Sequence, residues 1–186
     1  MLLRTVTFLA VVGLGLAAFS TTWVSNAATE TPDIERGKYL VNFGSCNDCH
    51  TPMVMGPSGP GPDTTRLLSG HPQDMVMPLA PALEPPWMAA ASSTLTAWSG
   101  PWGVSYSANL TPDKETGLGK WTAEDFIATI RNGRHLGRGR PLLPPMPYQY
   151  VATLTDTDLR NVFAYLQSLP AISNRVPQPT PPTAQR

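Results

Sequence analysis

The chain has 186 residues with 13 basic and 13 acidic side chains, a balance that gives no global attraction to nucleic acid or to acidic membranes. Its 21 prolines and 15 glycines point to long irregular stretches, and a loop-rich domain of this size needs a staple beyond its core. Two cysteines exclude a multi-disulfide framework.

At the N-terminus, Arg4 precedes an apolar run from Val6 to Phe19, and Ser25 and Ala27 are small residues two apart. That is the pattern of an exported protein's leader. Residues 1–27 therefore read as a signal peptide, cleaved after Ala27, and the mature chain is expected in the periplasm. The apolar run is shorter than the ~20 residues a membrane-crossing helix requires; a retained N-terminal anchor, with membrane association, is the alternative. Loss of Arg4 leaves twelve basic against thirteen acidic residues, and about 159 residues make one modest domain.

Three stretches carry helical periodicity. In "DIERGKYLVNFGSCNDCH", Asp33 is placed to cap, and Ile34, Leu40, Val41 and the Lys38 stem form an apolar side. Gly37 costs helix propensity there, which suggests that another backbone comes close. In "TAEDFIATIRNG", Thr122 and Asp125 resemble a capping box, Phe126, Ile127 and Ile130 form the apolar side, and Gly133 is the stop. In "TDTDLRNVFAYLQSLP", Thr155 and Asp158 repeat the capping pattern, Leu159, Val162, Phe163, Leu166 and Leu169 share a stripe, and Pro170 ends it. Thr51 to Lys120 shows neither helical period nor alternating strand pattern, and "GRHLGRGRPLLPPMPYQY" is irregular as well. The domain is expected over 28–170, followed by a disordered tail over 171–186 that includes "VPQPTPPTAQR".

Both cysteines lie in "GSCNDCHT", with His50 directly behind Cys49. A thioredoxin-type dithiol wants a buried strand before the cysteines, and a helix precedes them here. A zinc site wants four ligands in separated pairs, whereas His71 and His135 belong to no second pair. A disulfide between residues three apart would constrain the unfolded chain little. C-x-x-C-H is instead a haem-attachment pattern: Cys46 and Cys49 reach two vinyl groups on one porphyrin edge, and His50 offers an imidazole nitrogen to iron.

A second axial ligand comes from the remaining methionines and histidines. Met53 and Met55 lie too near the attachment site, and Met75, Met77 and Met88 suit packing in the insertion. Met146 stands among Pro144, Pro145 and Pro147, a stiff setting for a weak thioether ligand, and is the choice. His71 is its chief rival. The cofactor-binding set is thus Cys46, Cys49, His50 and Met146, with His50 and Met146 on iron, and no catalytic residue is expected. Arg131, Arg134, Arg138 and Arg140 read either as a solvated loop or as propionate and partner contacts. Four tryptophans, Trp87, Trp98, Trp102 and Trp121, are expected to pack the insertion around the cofactor.

With these residues in order, the chain resembles bacterial c-type cytochromes of the class I fold. The stretches "CNDCH", "NLTPDKETGLGKWT" and "LLPPMPY" further resemble modules in cytochrome subunits of membrane-associated dehydrogenases. The resemblance implies an all-α, class I cytochrome c-like fold: a few helices around one covalent haem c, with residues 52–107 as a long irregular Pro/Gly-rich insertion. It also implies that the first and last helices cross at Gly37 and Tyr165. The implied function is single-electron transfer between redox proteins, a dehydrogenase or a respiratory oxidase among them, with no nucleic-acid partner. The alternative is a haem with an open iron site, catalytic or ligand-sensing. Those dehydrogenase subunits usually carry three haem modules, whereas this chain holds one attachment motif.

Overall fold

Asp33 opens the first helix, α1 (Ile34–Phe43), by accepting the Arg36 backbone N–H on its side chain, which satisfies one of the first-turn donors a helix leaves free. The computed structural model describes residues 31–182; the expected leader and the last four residues of the expected tail lie outside the described residues. The chain continues through α2 (Cys46–His50), α3 (Ala123–Asn132), α4 (Tyr148–Val151) and α5 (Asp156–Ser168). The α3 start is the expected capping box between Thr122 and Asp125, and Gly133 ends the helix at φ 60°. At α5 only half of the expected box forms. Thr155 accepts the Asp158 N–H, but the Asp158 carboxylate turns to Arg36 on α1, 3.0 Å away.

The two helices thus tied also touch at the backbone. A Cβ on Gly37 would fall 2.0 Å from the Asn161 carbonyl oxygen and 2.9 Å from Tyr165 Cβ, so only glycine allows the crossing. Asn161 completes the junction by accepting the Asp33 backbone N–H on its side chain at 2.8 Å. Below it, Leu40 and Val41 of α1 and Leu159, Val162, Phe163 and Leu166 of α5 join Phe126 and Ile130 of α3, Leu68 and Leu118 in one buried cluster. Phe126 and Phe163 pack with ring centroids 5.6 Å apart. Most of the apolar positions read from the sequence are buried or packed against this cluster, Ile127 and Leu169 only partly; Ile34 and Lys38, expected on the apolar side of α1, are exposed instead.

The all-α expectation is overturned. The insertion forms two antiparallel sheets among the described residues. One pairs β1 (Met53–Gly56) with β2 (Gly59–Pro62). The other has the order β3 (Ala90–Ala91), β4 (Ala97–Gly100), β5 (Gly103–Tyr106), with Gly100 opposite Gly103 in a two-residue hairpin. The result is a mixed helix and strand architecture. The β4–β5 hairpin escapes a hydrophobic pattern because its buried residues are small: Ala97, Ser99 and Ser105 are buried, while the larger Trp98, Val104 and Tyr106 are half-buried. Ala97 and Ser99 share one face with Tyr106 and Val104, and Ser105 lies with Trp98 on the other, so polarity does not alternate as a half-buried strand's should. In β2, Pro60 and Pro62 occupy a strand with a single neighbour, the edge setting in which proline is tolerated.

Residues 171–182 also depart from the expected disorder. They run extended across the insertion: Thr180 and Val104 exchange backbone hydrogen bonds of 2.9 Å each way. Asn174 is fully buried, donating to the carbonyls of Ser69 (2.7 Å) and His71 (2.8 Å) and accepting from Arg66 and the Gln73 N–H. Prolines bar helix here but not an extended strand-like path, and one amide finds four partners.

Candidate haem-attachment site

Between α1 and α2 the chain reverses at Ser45, which takes φ 53°. The single turn of α2 then carries Cys46 and Cys49, three apart and so on one side of the turn, with His50 at its end. Both thiols are free and half-buried. Burial pushes the Cys46 thiol up to about 11 and raises that of Cys49 as well. Neither is therefore the low-pKa thiolate of a redox dithiol.

His50 is buried, and its Nδ1 lies 2.8 Å from the Ala108 carbonyl oxygen. A carbonyl can only accept, so Nδ1 donates and Nε2 keeps its lone pair. Burial pushes the imidazole below its ordinary pKa, which keeps the ring neutral, the form that ligates a metal. The surrounding backbone holds this arrangement. Thr51 accepts the Leu68 N–H at 2.8 Å, and the His50 carbonyl accepts the Gly70 N–H at 2.8 Å. Gly70, at φ 79°, lies against the 107–108 backbone so closely that a Cβ would sit 2.4 Å from the Ser107 oxygen. The donor set and its tautomer fit a haem c iron on Nε2.

Met146 is half-buried and packs against the same core cluster as Cys46. Its Pro-rich loop is tied down on both sides: Ser105 Oγ donates to the Pro144 carbonyl at 2.6 Å, and Leu142 N–H donates to Gly133 at 2.8 Å. His71, the rival ligand, is fully buried, with its Nδ1 2.9 Å from Thr96 Oγ1.

The four arginines separate. Arg131 is spent on the Ala152 and Leu154 carbonyls and on Asp156. Arg134 donates to the Gly139 carbonyl at 2.9 Å. Arg138 acts on Asp125 only through its charge. Arg140 is exposed and has no ion pair among the described residues. His135 stands edge-on to Trp121, centroids 5.1 Å apart, and is not ligand-like. Of the tryptophans, Trp98 donates to the Leu95 carbonyl just before β4 and Trp102 to Ser105 Oγ within the β4–β5 hairpin, while Trp87 is 74% exposed and packs little. Among the described residues, no three His, Cys, Asp or Glu side chains form a metal-holding group; Asp113 instead caps the turn at Glu115 and Thr116.

Sequence reasoning missed the Ala108 carbonyl and the Ser105 brace. A backbone acceptor leaves no residue-type signal, and a serine is too common to single out.

No family model matches the chain. It is 31% identical over 142 residues to the fructose dehydrogenase cytochrome subunit of Gluconobacter japonicus, covering 76% of this chain and 22% of that one. It is 29% identical over 180 residues to the alcohol dehydrogenase (quinone) cytochrome c subunit of Gluconobacter oxydans, covering 95% and 30%. It is 30% identical over 132 residues to the gluconate 2-dehydrogenase cytochrome c subunit of Pantoea cypripedii, covering 71% and 22%. The chain thus spans less than a third of the length of these relatives. The resemblance carried by "CNDCH" and "NLTPDKETGLGKWT" extends along most of its own length: this chain is a c-type cytochrome sequence similar to modules of dehydrogenase cytochrome c subunits.

Proposed function

We propose that this chain carries single electrons on one covalently attached haem c, held by Cys46 and Cys49 and ligated by His50 and Met146. The observation that carries the reading is the hydrogen bond from His50 Nδ1 to the Ala108 carbonyl, the outer contact that orients a metal-bound histidine and sets its tautomer. When bound, the haem supplies an iron that alternates between ferric and ferrous states. The protein's part is to bind, orient and exclude water. Cys46 and Cys49 hold one edge from a single helical turn, and Met146 presents its sulfur from a loop braced by Ser105. Arg140 offers an unpaired guanidinium, which suits a propionate bidentately. The reading assigns no acid, base or nucleophile.

One C-x-x-C-H motif in the chain supports one haem per chain. The relatives' names support a dehydrogenase as the redox partner, with a respiratory oxidase as the other candidate. The leader-like N-terminus supports export to the periplasm, with a retained anchor as the route to membrane association.

Expression with a c-type maturation system tests the attachment. The purified chain should gain the mass of one haem and keep it through acid–acetone extraction. The Cys46→Ala, Cys49→Ala double variant should lose it. Recovery of wild-type chain without covalent haem, under the same conditions, rejects the proposal.

A further inference from the structure

His71 is fully buried, yet one of its ring nitrogens, Nε2, has no hydrogen-bond partner among the described residues. Its Nδ1 lies 2.9 Å from Thr96 Oγ1. Thr96 Oγ1 lies 2.8 Å from Thr94 Oγ1, which lies 2.9 Å from Ser92 Oγ. Thr94 and Thr96 are buried, whereas Ser92 is half-exposed and lines a cavity of about 230 Å³ beside Tyr106 and Met77. Three hydroxyls in contact therefore lead from a buried imidazole to an opening. Each hydroxyl both donates and accepts, so the row can pass a proton by reorienting.

The same histidine sits against the backbone that holds His50. Its N–H donates to the Ser107 carbonyl at 2.9 Å, next to Ala108, whose carbonyl takes the His50 Nδ1 proton. Gly70, the preceding residue, donates to the His50 carbonyl. Two of the backbone contacts around His50 are thus one residue away from His71 or from its partner. The charged and titratable groups facing the ring are Arg66, from the 3-10 turn 64–66, and Tyr106 of β5, 4.9 Å between ring centroids. The β4 side brings hydroxyls, and residues 171–182 bring the Asn174 amide to the His71 carbonyl.

We propose that His71 is a proton-binding site coupled to the electron this chain carries, filled from solvent through Ser92, Thr94 and Thr96. The proposal rests on the electron-carrier reading above. As one electron arrives from the reduced partner, the site beside His50 gains one negative charge. The proton enters at Ser92, each hydroxyl hands its own proton inward, and Thr96 delivers one to His71 Nδ1; Nε2 carries the hydrogen of the neutral ring. On reoxidation one electron and one proton leave. Burial and the Arg66 charge favour the neutral ring. The added negative charge tips that balance, since a nearby opposite charge favours the charged form.

The test is the reduction potential of the haem-loaded protein against pH. The wild-type potential should fall as pH rises through the range at and below the ordinary histidine value of about 6.5, because protonated His71 favours the reduced state. His71→Asn should flatten the curve there. Carbon–proton NMR of the wild-type His71 ring supplies a readout that needs no variant: the ring should titrate at higher pH in the ferrous than in the ferric protein. Coincident wild-type and variant curves, or equal ring titrations in both states, overturn the proposal while leaving the carrier reading intact. A chain recovered without covalent haem removes both, and mass spectrometry identifies that outcome first.

Discussion

A Cβ placed on Gly37 would lie 2.0 Å from the carbonyl oxygen of Asn161, so α1 and α5 meet backbone to backbone, with no side chain between them. Gly37→Ala gains about 1 kcal/mol of helix propensity but forces the helices apart, a cost of about 1–3 kcal/mol or more for overpacking. The clash should win. Denaturant midpoints should drop for Gly37→Ala and stay unchanged for Gly61→Ala, where a Cβ meets nothing within 4 Å. Equal midpoints for the two variants would show that the crossing relaxes freely.

Met146→Ala tests the second ligand. Wild-type ferric protein should be low-spin with a weak far-red sulfur-to-iron band. The variant should lose the band, drop in potential and bind carbon monoxide quickly, since a donor is gone and a position opens. Met75→Ala, Met77→Ala and Met88→Ala should keep the band. A wild-type protein that is high-spin and binds carbon monoxide at once would favour the open-site alternative. Survival of the band in Met146→Ala would move the ligand to another methionine.

The arginines should divide by role. Arg131→Ala removes donors from the Ala152 and Leu154 carbonyls and from Asp156. It should cost about 1–2 kcal/mol in chemical denaturation and leave the potential alone. Arg140→Gln should lower the potential, because a positive charge beside a propionate disfavours the ferric state, with little change in stability. If Arg138 and Arg140 instead guide a partner, transfer rates should fall with ionic strength, exposed charges being screened within about 8–10 Å. A salt-independent rate would exclude guidance by charge.

Stability should weaken in mild acid. Burial lowers the pKa of His71 and, together with the Arg140 charge, that of His135. A lowered histidine binds fewer protons folded than unfolded, so its contribution is complete above the unfolded value of about 6.5 and is lost as pH falls toward the folded one. Thermal midpoints of the haem-loaded protein should therefore decline from about pH 6.5 downward, and less steeply in His135→Asn. A midpoint that is flat across this range would mean both rings titrate alike folded and unfolded.

What the sequence determined by itself was local. The i, i+3 spacing of Cys46 and Cys49 with His50 behind them, the Asp33, Thr122 and Thr155 caps, the Gly133 stop and the Leu159–Leu166 stripe are each set by residues within a few positions of one another, and short-range sterics and hydrogen bonding suffice to read them. Gly37 by its helix propensity marked a close approach, and only the family resemblance named Tyr165 of the last helix as its partner; the Asn161 carbonyl came from the structure. The tertiary structure decided everything that joins distant backbone. Ala108 reaches His50 across 58 residues, Ser105 reaches Pro144 across 39, and Asn174 reaches His71 across 103. A carbonyl belongs to every residue, and a buried serine or threonine resembles an exposed one in sequence. The same holds for the sheets: in β4 the small, buried Ala97 and Ser99 flank a half-buried Trp98 and carry no apolar period, so only the pairing of β4 with β5 makes this segment a strand.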